Sequence, residues 1–228
     1  MRYSVKEVAS RIQHTNVAPD ATLKDIERLC RECVEYGFNA AVVNPIWVRD
    51  AVRFLRGTDV KVSVAINFPI GGSSTVSKVV EIRNAVADGA DEVDFMINVG
   101  YLKSGMLDEF RRDLEEIVRA ADGRPTKAIL ETAILTREEL EKAAKICEEV
   151  GVSYIKNSTG WGKGGPATVE IIRLMRSLVG PKVGVKASGG IRDFETAVAL
   201  LEAGADLLGT SRGPQIVKGE KSGGEIRY

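Results

Sequence analysis

Short apolar, β-branched runs alternate along the chain with segments whose apolar positions recur every three to four residues. The runs are FNAAVVN (38–44), KVSVAIN (61–67), DEVDFMI (91–97), TKAILET (126–132), VSYIKN (152–157), KVGVKA (182–187) and ADLLGT (205–210). Their length and residue types suit buried strands. A shorter run near RIQHTN (11–16) makes eight. The segments between them read as helices with marked ends. LTREELEKAAKICEEVG opens on Thr136 with Glu139 three residues on, a capping box, and stops at Gly151. IRDFETAVALLEAGA starts at Asp193 and ends at Gly204, and TVSKVVEIRNAVADGA stops at Gly89. Strands spaced roughly 22–35 residues apart, each followed by a helix, are βα units. Eight of them in 228 residues predict an α/β protein, a single-domain (β/α)8 TIM barrel over 1–217. An open doubly wound sheet is the alternative. The polar, Gly-rich end KGEKSGGEIRY (218–228) reads as a flexible tail.

Alternation along a strand sorts its side chains into two faces. In KVGVKASGG, Val183 and Val185 suit the helix layer, which turns Gly184 and Lys186 inward. In DEVDFMI, Val93 and Phe95 face the helices, while Glu92, Asp94 and Met96 face the barrel interior. Tyr154 and Lys156 share the face opposite Ile155. Asp94, Lys156 and Lys186 therefore converge from the fourth, sixth and seventh strands. Lys156 and Lys186 each precede a loop of small residues, at the strand end where this fold carries its chemistry. An ammonium has no lone pair, so a lysine attacks a carbonyl only after losing its proton. Burial and a neighbouring cation favour that loss, moving such lysines toward a pKa of about 7–8. One lysine can then form a Schiff base, the second lower its neighbour's proton affinity, and Asp94 move protons. The other reading is a structural Lys–Asp ion pair at the barrel rim. Glu131 is a further inward candidate, expected to support the lysines electrostatically.

Two glycine-rich segments follow the last strands: ASGGIRD (187–193) and LGTSRG (208–213). Loops in these positions are the recurrent phosphate site of the fold, because glycine lets an anion approach backbone N–H groups. The other reading is tight βα turns. GWGKGG (160–165) matches G-x-G-x-x-G, but the acidic partner a dinucleotide site wants about 20 residues on is replaced by the Lys186 region. That loop is expected to supply N–H groups around a substrate, with Lys163 as an extra cation.

Composition narrows the partners. Lys+Arg and Asp+Glu are both 32, with no basic run, which argues against nucleic acid. No apolar run is long enough to span a bilayer and MRYSVKEVAS has no signal core, so no membrane association and a cytoplasmic location are expected. Cys30 and Cys33 form a CxxC inside a helical pattern, and with His14 the only histidine they read as core packing.

ADEVDFMINVG, KAILETAILT, YIKNSTGWG, VGVKASGGIR and LGTS, with NFPIG (67–71) and TNVAPDAT (15–22), resemble in order the segments of 2-deoxyribose-5-phosphate aldolases. The resemblance covers nearly the whole chain. It implies a class I aldolase that interconverts 2-deoxy-D-ribose 5-phosphate with D-glyceraldehyde 3-phosphate and acetaldehyde. It implies no cofactor and no metal, because the Schiff base is the electron sink, and a homodimer or homotetramer. By position Lys156 is the Schiff-base lysine, Lys186 the second lysine and Asp94 the proton relay. Thr159, Gly160, Gly189, Gly190, Gly209 and Ser211 line the substrate and phosphate loops with Arg192 nearby, and Tyr228 assists proton transfer at C2 of the enamine. Another phosphosugar barrel enzyme, isomerase or aldolase, and a non-catalytic phosphosugar-binding relative are the alternatives. Five positions depart from the family pattern: Gln13 for aspartate, Ala18 for lysine, Val43 for a cysteine near the pocket, Asn157 for threonine and Arg212 for serine. Gln13 is expected to leave the lysine pair short of negative charge.

Overall fold

The computed structural model describes residues 3–219. Its eight parallel strands are β1 (Ile12–Asn16), β2 (Ala40–Val43), β3 (Lys61–Ile66), β4 (Glu92–Met96), β5 (Thr126–Ile129), β6 (Tyr154–Lys156), β7 (Gly184–Ser188) and β8 (Leu207–Thr210). They follow one another around a closed barrel, with β1 paired to both β2 and β8. This is the eight-unit barrel the hydrophobic rhythm predicts, and the open sheet is excluded.

The surrounding helices are α1 (Val5–Ala9), α2 (Leu23–Tyr36), α3 (Val48–Phe54), α4 (Thr75–Ala87), α5 (Val99–Lys103), α6 (Leu107–Ala120), α7 (Arg137–Glu149), α8 (Val169–Leu178), α9 (Phe194–Glu202) and α10 (Gly213–Lys218). The end signals hold. Thr136 and Glu139 form a reciprocal capping box at the start of α7, and the Asp193 carboxylate accepts from the Thr196 N–H at the start of α9, 2.7 Å away. Lys218, expected to open the tail, is instead the last residue of α10.

The outward faces of the strands supply the main core. Val93, Phe95, Ile155 and Val185 are fully buried there between sheet and helices. Cys30, Cys33 and Cys147 lie in the same core. Burial pushes the Cys30 and Cys147 thiols up to about 12, so they pack as small hydrophobes. Between α4 and α6 a buried ion pair, Lys78 Nζ to Asp113 Oδ2 at 2.6 Å, joins two helices of the outer layer. A separate cluster of Val17, Val42 and Ala65, backed by Phe68, lies at the C-terminal end of β1–β3. Among the described residues no helix is long and apolar enough to cross a membrane, and no three His, Cys, Asp or Glu side chains group as metal ligands.

Candidate active site

Asp94 stands at the centre of the barrel interior, fully buried, and both of its oxygens are in use. Oδ2 accepts from Lys186 Nζ at 2.6 Å and from Lys156 Nζ at 3.0 Å. Oδ1 accepts from Lys127 Nζ at 2.8 Å and from the Ser63 hydroxyl at 3.1 Å. The strand ladder explains the meeting. Asp94 lies level with Lys127 on β5, and Lys156 lies level with Lys186 on β7. Below the lysines Tyr154 is level with Gly184. A Cβ at Gly184 would come within 2.2 Å of the Tyr154 ring, so glycine there lets the ring lie across the strand.

Burial sets the charge state of this cluster together with its partners. Burial opposes ionisation of Asp94, but Lys127, Lys186 and Lys156 outweigh it and hold the carboxyl well below its ordinary value. Burial lowers the Lys186 pKa to about 7; Asp94 pulls the other way, and the charges of Lys156 and Lys127 add to the lowering. Lys127 is the opposite case. It lies between Asp94 and Glu92, at 2.8 and 2.7 Å, and their attraction overcomes burial and raises its pKa.

Only one of the three amines reaches the open pocket above the cluster. Lys156 lines it with Thr15, Val17, Val42, Ala65, Phe68 and Trp161. Thr159, Gly160, Gly189, Gly190, Arg192, Gly209 and Ser211 line it too. Lys127 and Lys186 have no exposed surface and sit behind Lys156. The pocket is thus divided. Valine, alanine and Phe68 side chains come from the β1–β3 end, and Trp161, glycines, hydroxyls and arginines come from the loops after β6, β7 and β8. Phe68 meets Trp161 edge to face at 6.2 Å, and its ring lies 6.0 Å from Lys156 Nζ.

The structure brings Asp94, Lys156, Lys186 and all seven residues expected in the substrate loops to one place. Tyr228 lies outside the described residues. Three expectations are corrected. Glu131 does not face the lysines: the strand ends at Ile129, Glu131 adopts φ 55°, and strand alternation no longer applies to it. Its carboxylate accepts from the Thr159 N–H at 3.0 Å and the Thr159 hydroxyl at 2.7 Å, and so orders the loop after β6. Val43 packs in the main core, and its neighbour Val42 is the pocket residue. Lys163 is exposed and is not among the residues lining the pocket. Of the other departures, Arg212 lines the pocket, and Asn157 ties β6 to β7, accepting from the Ser188 N–H at 2.7 Å and donating to the Ser188 carbonyl at 3.0 Å. Gln13 is buried, and its Oε1 accepts from Lys186 at 2.6 Å.

Lys127, and Gly164 within the GWGKGG loop, are positions at the site that the sequence does not single out. A Cβ at Gly164 would lie 2.2 Å from Glu131 Oε1 and 2.6 Å from Ser158 Oγ. Gly164→Ala is therefore expected to displace Glu131, loosen Thr159 and Gly160, and raise KM about tenfold with a smaller change in kcat. Steady-state kinetics check this; an unchanged KM contradicts it.

A barrel whose pocket floor is a lysine amine, backed by a second amine and a shared carboxylate, is built for amine–carbonyl chemistry. The chain matches the family model described as DeoC/LacD family aldolase over residues 6–219, and it belongs to that family. It is 50% identical to the deoxyribose-phosphate aldolase of Thermococcus gammatolerans, over 95% of this chain and 97% of the relative. It is 52% identical to that of Brevibacillus brevis, over 93% and 96%. Among solved structures it resembles the tetrameric deoxyribose phosphate aldolase of Aeropyrum pernix, with TM-score 0.88 and 32% identity over 94% of this chain and 91% of the other.

Proposed function

We propose that the protein is a class I aldolase that reversibly cleaves 2-deoxy-D-ribose 5-phosphate to D-glyceraldehyde 3-phosphate and acetaldehyde through a Schiff base on Lys156. The observation that carries this reading is the shared oxygen: Lys156 and Lys186 both bond Asp94 Oδ2, and only Lys156 opens to the pocket. Two amines on one carboxylate oxygen repel as ammonium ions, and the site is relieved when one proton leaves. A proton passing through Asp94 Oδ2 can then leave the neutral amine on Lys156.

The neutral amine attacks C1 of the open-chain sugar and loses water to give an iminium ion. Removal of the proton on the C3 hydroxyl breaks the C2–C3 bond. D-Glyceraldehyde 3-phosphate leaves, and the bonding electrons move into the iminium to form an enamine. Protonation at C2 and hydrolysis release acetaldehyde and restore Lys156. Asp94 and Lys186 carry protons in the carbinolamine steps, and Tyr228 is assigned the C2 proton. The glycine loops with Ser211 and Arg192 take the phosphate, which directs C1–C2 toward Val42, Ala65 and Phe68. The similarity to the tetrameric relative supports a homo-oligomer.

The test is borohydride reduction in the presence of acetaldehyde, followed by peptide mapping. An adduct at Lys156 is expected, and no adduct at any lysine rejects the reading. In the same preparation kcat/KM for 2-deoxy-D-ribose 5-phosphate is expected to exceed that for unphosphorylated 2-deoxy-D-ribose by about 100-fold or more, since the phosphate supplies binding energy away from the reacting bond. Equal values would remove the phosphate site from the proposal.

A further inference from the structure

The polar interior of the barrel extends below Asp94 as a closed hydrogen-bonded ring. Lys186 donates to Asp94 Oδ2, and Lys127 donates to Asp94 Oδ1. Lys127 also pairs with Glu92 Oε2 at 2.7 Å. Gln13 Nε2 donates to the same Glu92 oxygen at 2.7 Å, and Gln13 Oε1 accepts from Lys186 at 2.6 Å, which returns to the start. Asn39 Oδ1 accepts a second bond from Gln13 Nε2 at 2.9 Å and so fixes which way the amide points. No substrate atom in the pocket can reach Lys127 or Gln13, since both are fully buried beneath the reactive amines.

We propose that Lys127, Glu92 and Gln13 are positioning residues for the aldol reaction, which aim one oxygen of Asp94 at both Lys156 and Lys186 and leave the interior with one more lysine than carboxylates. The inference rests on the Schiff-base reading of Lys156. A carboxylate held on one side only can swing toward either amine. With Oδ1 occupied by Lys127 and Ser63, Oδ2 stays between Lys156 and Lys186. The charge count does the rest. Lys127, Lys156 and Lys186 face Asp94 and Glu92, and the residue from β1 that meets Lys186 is a neutral amide. Lys127 keeps its proton between two carboxylates, so the shortage falls on the pair that shares Asp94 Oδ2. Two further titratable groups border the ring: Lys61, which reaches Glu92 at 3.3 Å from the solvent-exposed start of β3 and so lies outside the buried count, and Tyr154 across Gly184. The strands β2 (AAVV) and β8 (LLGT) bring none.

Two substitutions should move the acidic limb of the kcat/KM profile in opposite directions. Lys127→Met removes a cation and frees Asp94 for Lys186, so Lys186 holds its proton to higher pH. The limb is expected to rise by about one pH unit, an approximately tenfold loss near neutrality that recovers in alkaline buffer. Glu92→Gln removes a carboxylate at nearly constant shape and leaves Lys127 to draw on Asp94 alone. Its limb is expected to fall by a similar amount. Lys127→Arg keeps the charge and is expected to restore the wild-type limb. A ring that serves folding alone would lower the active fraction and leave both limbs in place. Unmoved limbs, or two shifts of the same sign, overturn the proposal. If Lys127→Met does not fold, Glu92→Gln carries the sign. Acetaldehyde and borohydride on the wild-type enzyme separate the two failures. Without an adduct at Lys156 the Schiff-base reading and the ring's role fall together. With an adduct and unmoved limbs, only the ring's role falls.

Discussion

Lys156→Met is expected to lower kcat by about 10⁴-fold or more, because it removes the only amine of the cluster that opens to the pocket. Lys186 cannot take over. It has no exposed surface and lies behind Lys156 on the shared oxygen of Asp94. The substitution should leave the fold intact. Methionine is close to the lysine stem in length, and the cluster it leaves has two lysines against two carboxylates, a balanced interior. A melting temperature within a few degrees of wild type, binding of the phosphorylated sugar, and no borohydride adduct with acetaldehyde are the combined result expected. A variant that keeps a tenth of its activity, or an adduct mapped to Lys186, would show the nucleophile to be misassigned.

Asp94→Asn is expected to cost both stability and turnover. The amide cannot balance three buried lysines, and breaking a buried charge pair from one side typically costs about 3–5 kcal/mol. The penalty should depend on pH, with a sign that follows from the site. The folded pKa of Asp94 is held well below its unfolded value, so its stabilisation is present above the ordinary carboxylate range and is lost as pH falls through the folded value. In Asp94→Asn the lysines have a different escape, which is to give up protons. Burial already brings Lys186 to about 7, so near pH 9 the variant can bury Lys186 as a neutral amine, whereas near pH 6 it must bury it charged. Urea unfolding at the two pH values is expected to show the larger loss at pH 6; equal losses would mean that Asp94 is not the counter-ion of the cluster. Turnover should fall by roughly 10²–10⁴-fold at both, as for loss of a proton-transfer group.

How much of this was legible in the sequence differs from element to element. Asp94, Lys156 and Lys186 could be placed inward from their own strands, because apolar neighbours at alternate positions fix which way each side chain points. Lys127 has the same inward parity, but its own strand does not mark it as part of the cluster. It stands second in TKAIL, at the end of the strand where polar residues ordinarily mark the exit from a turn. Only the stagger of β5 against β4 raises it level with Asp94. Glu131 failed for the converse reason. Its parity is inward, but its positive φ carries it out of the strand and toward Thr159. The glycine loops after β7 and β8 were legible as loops, and the barrel's closure, which pairs β8 with β1, brought them to one pocket with the apolar cluster of β1–β3.

The sequence by itself therefore determined the βα rhythm, the helix ends, the face on which each strand residue lies and, through order and motif, the family. Each of these is set by neighbours a few residues apart. Tertiary structure decided the heights of those residues in the barrel, the third lysine, the neutral amide of Gln13 at Lys186, and which amine is open to a substrate. Those depend on how far each strand is staggered against the next, a quantity fixed only when β1 and β8 pair and the sheet closes.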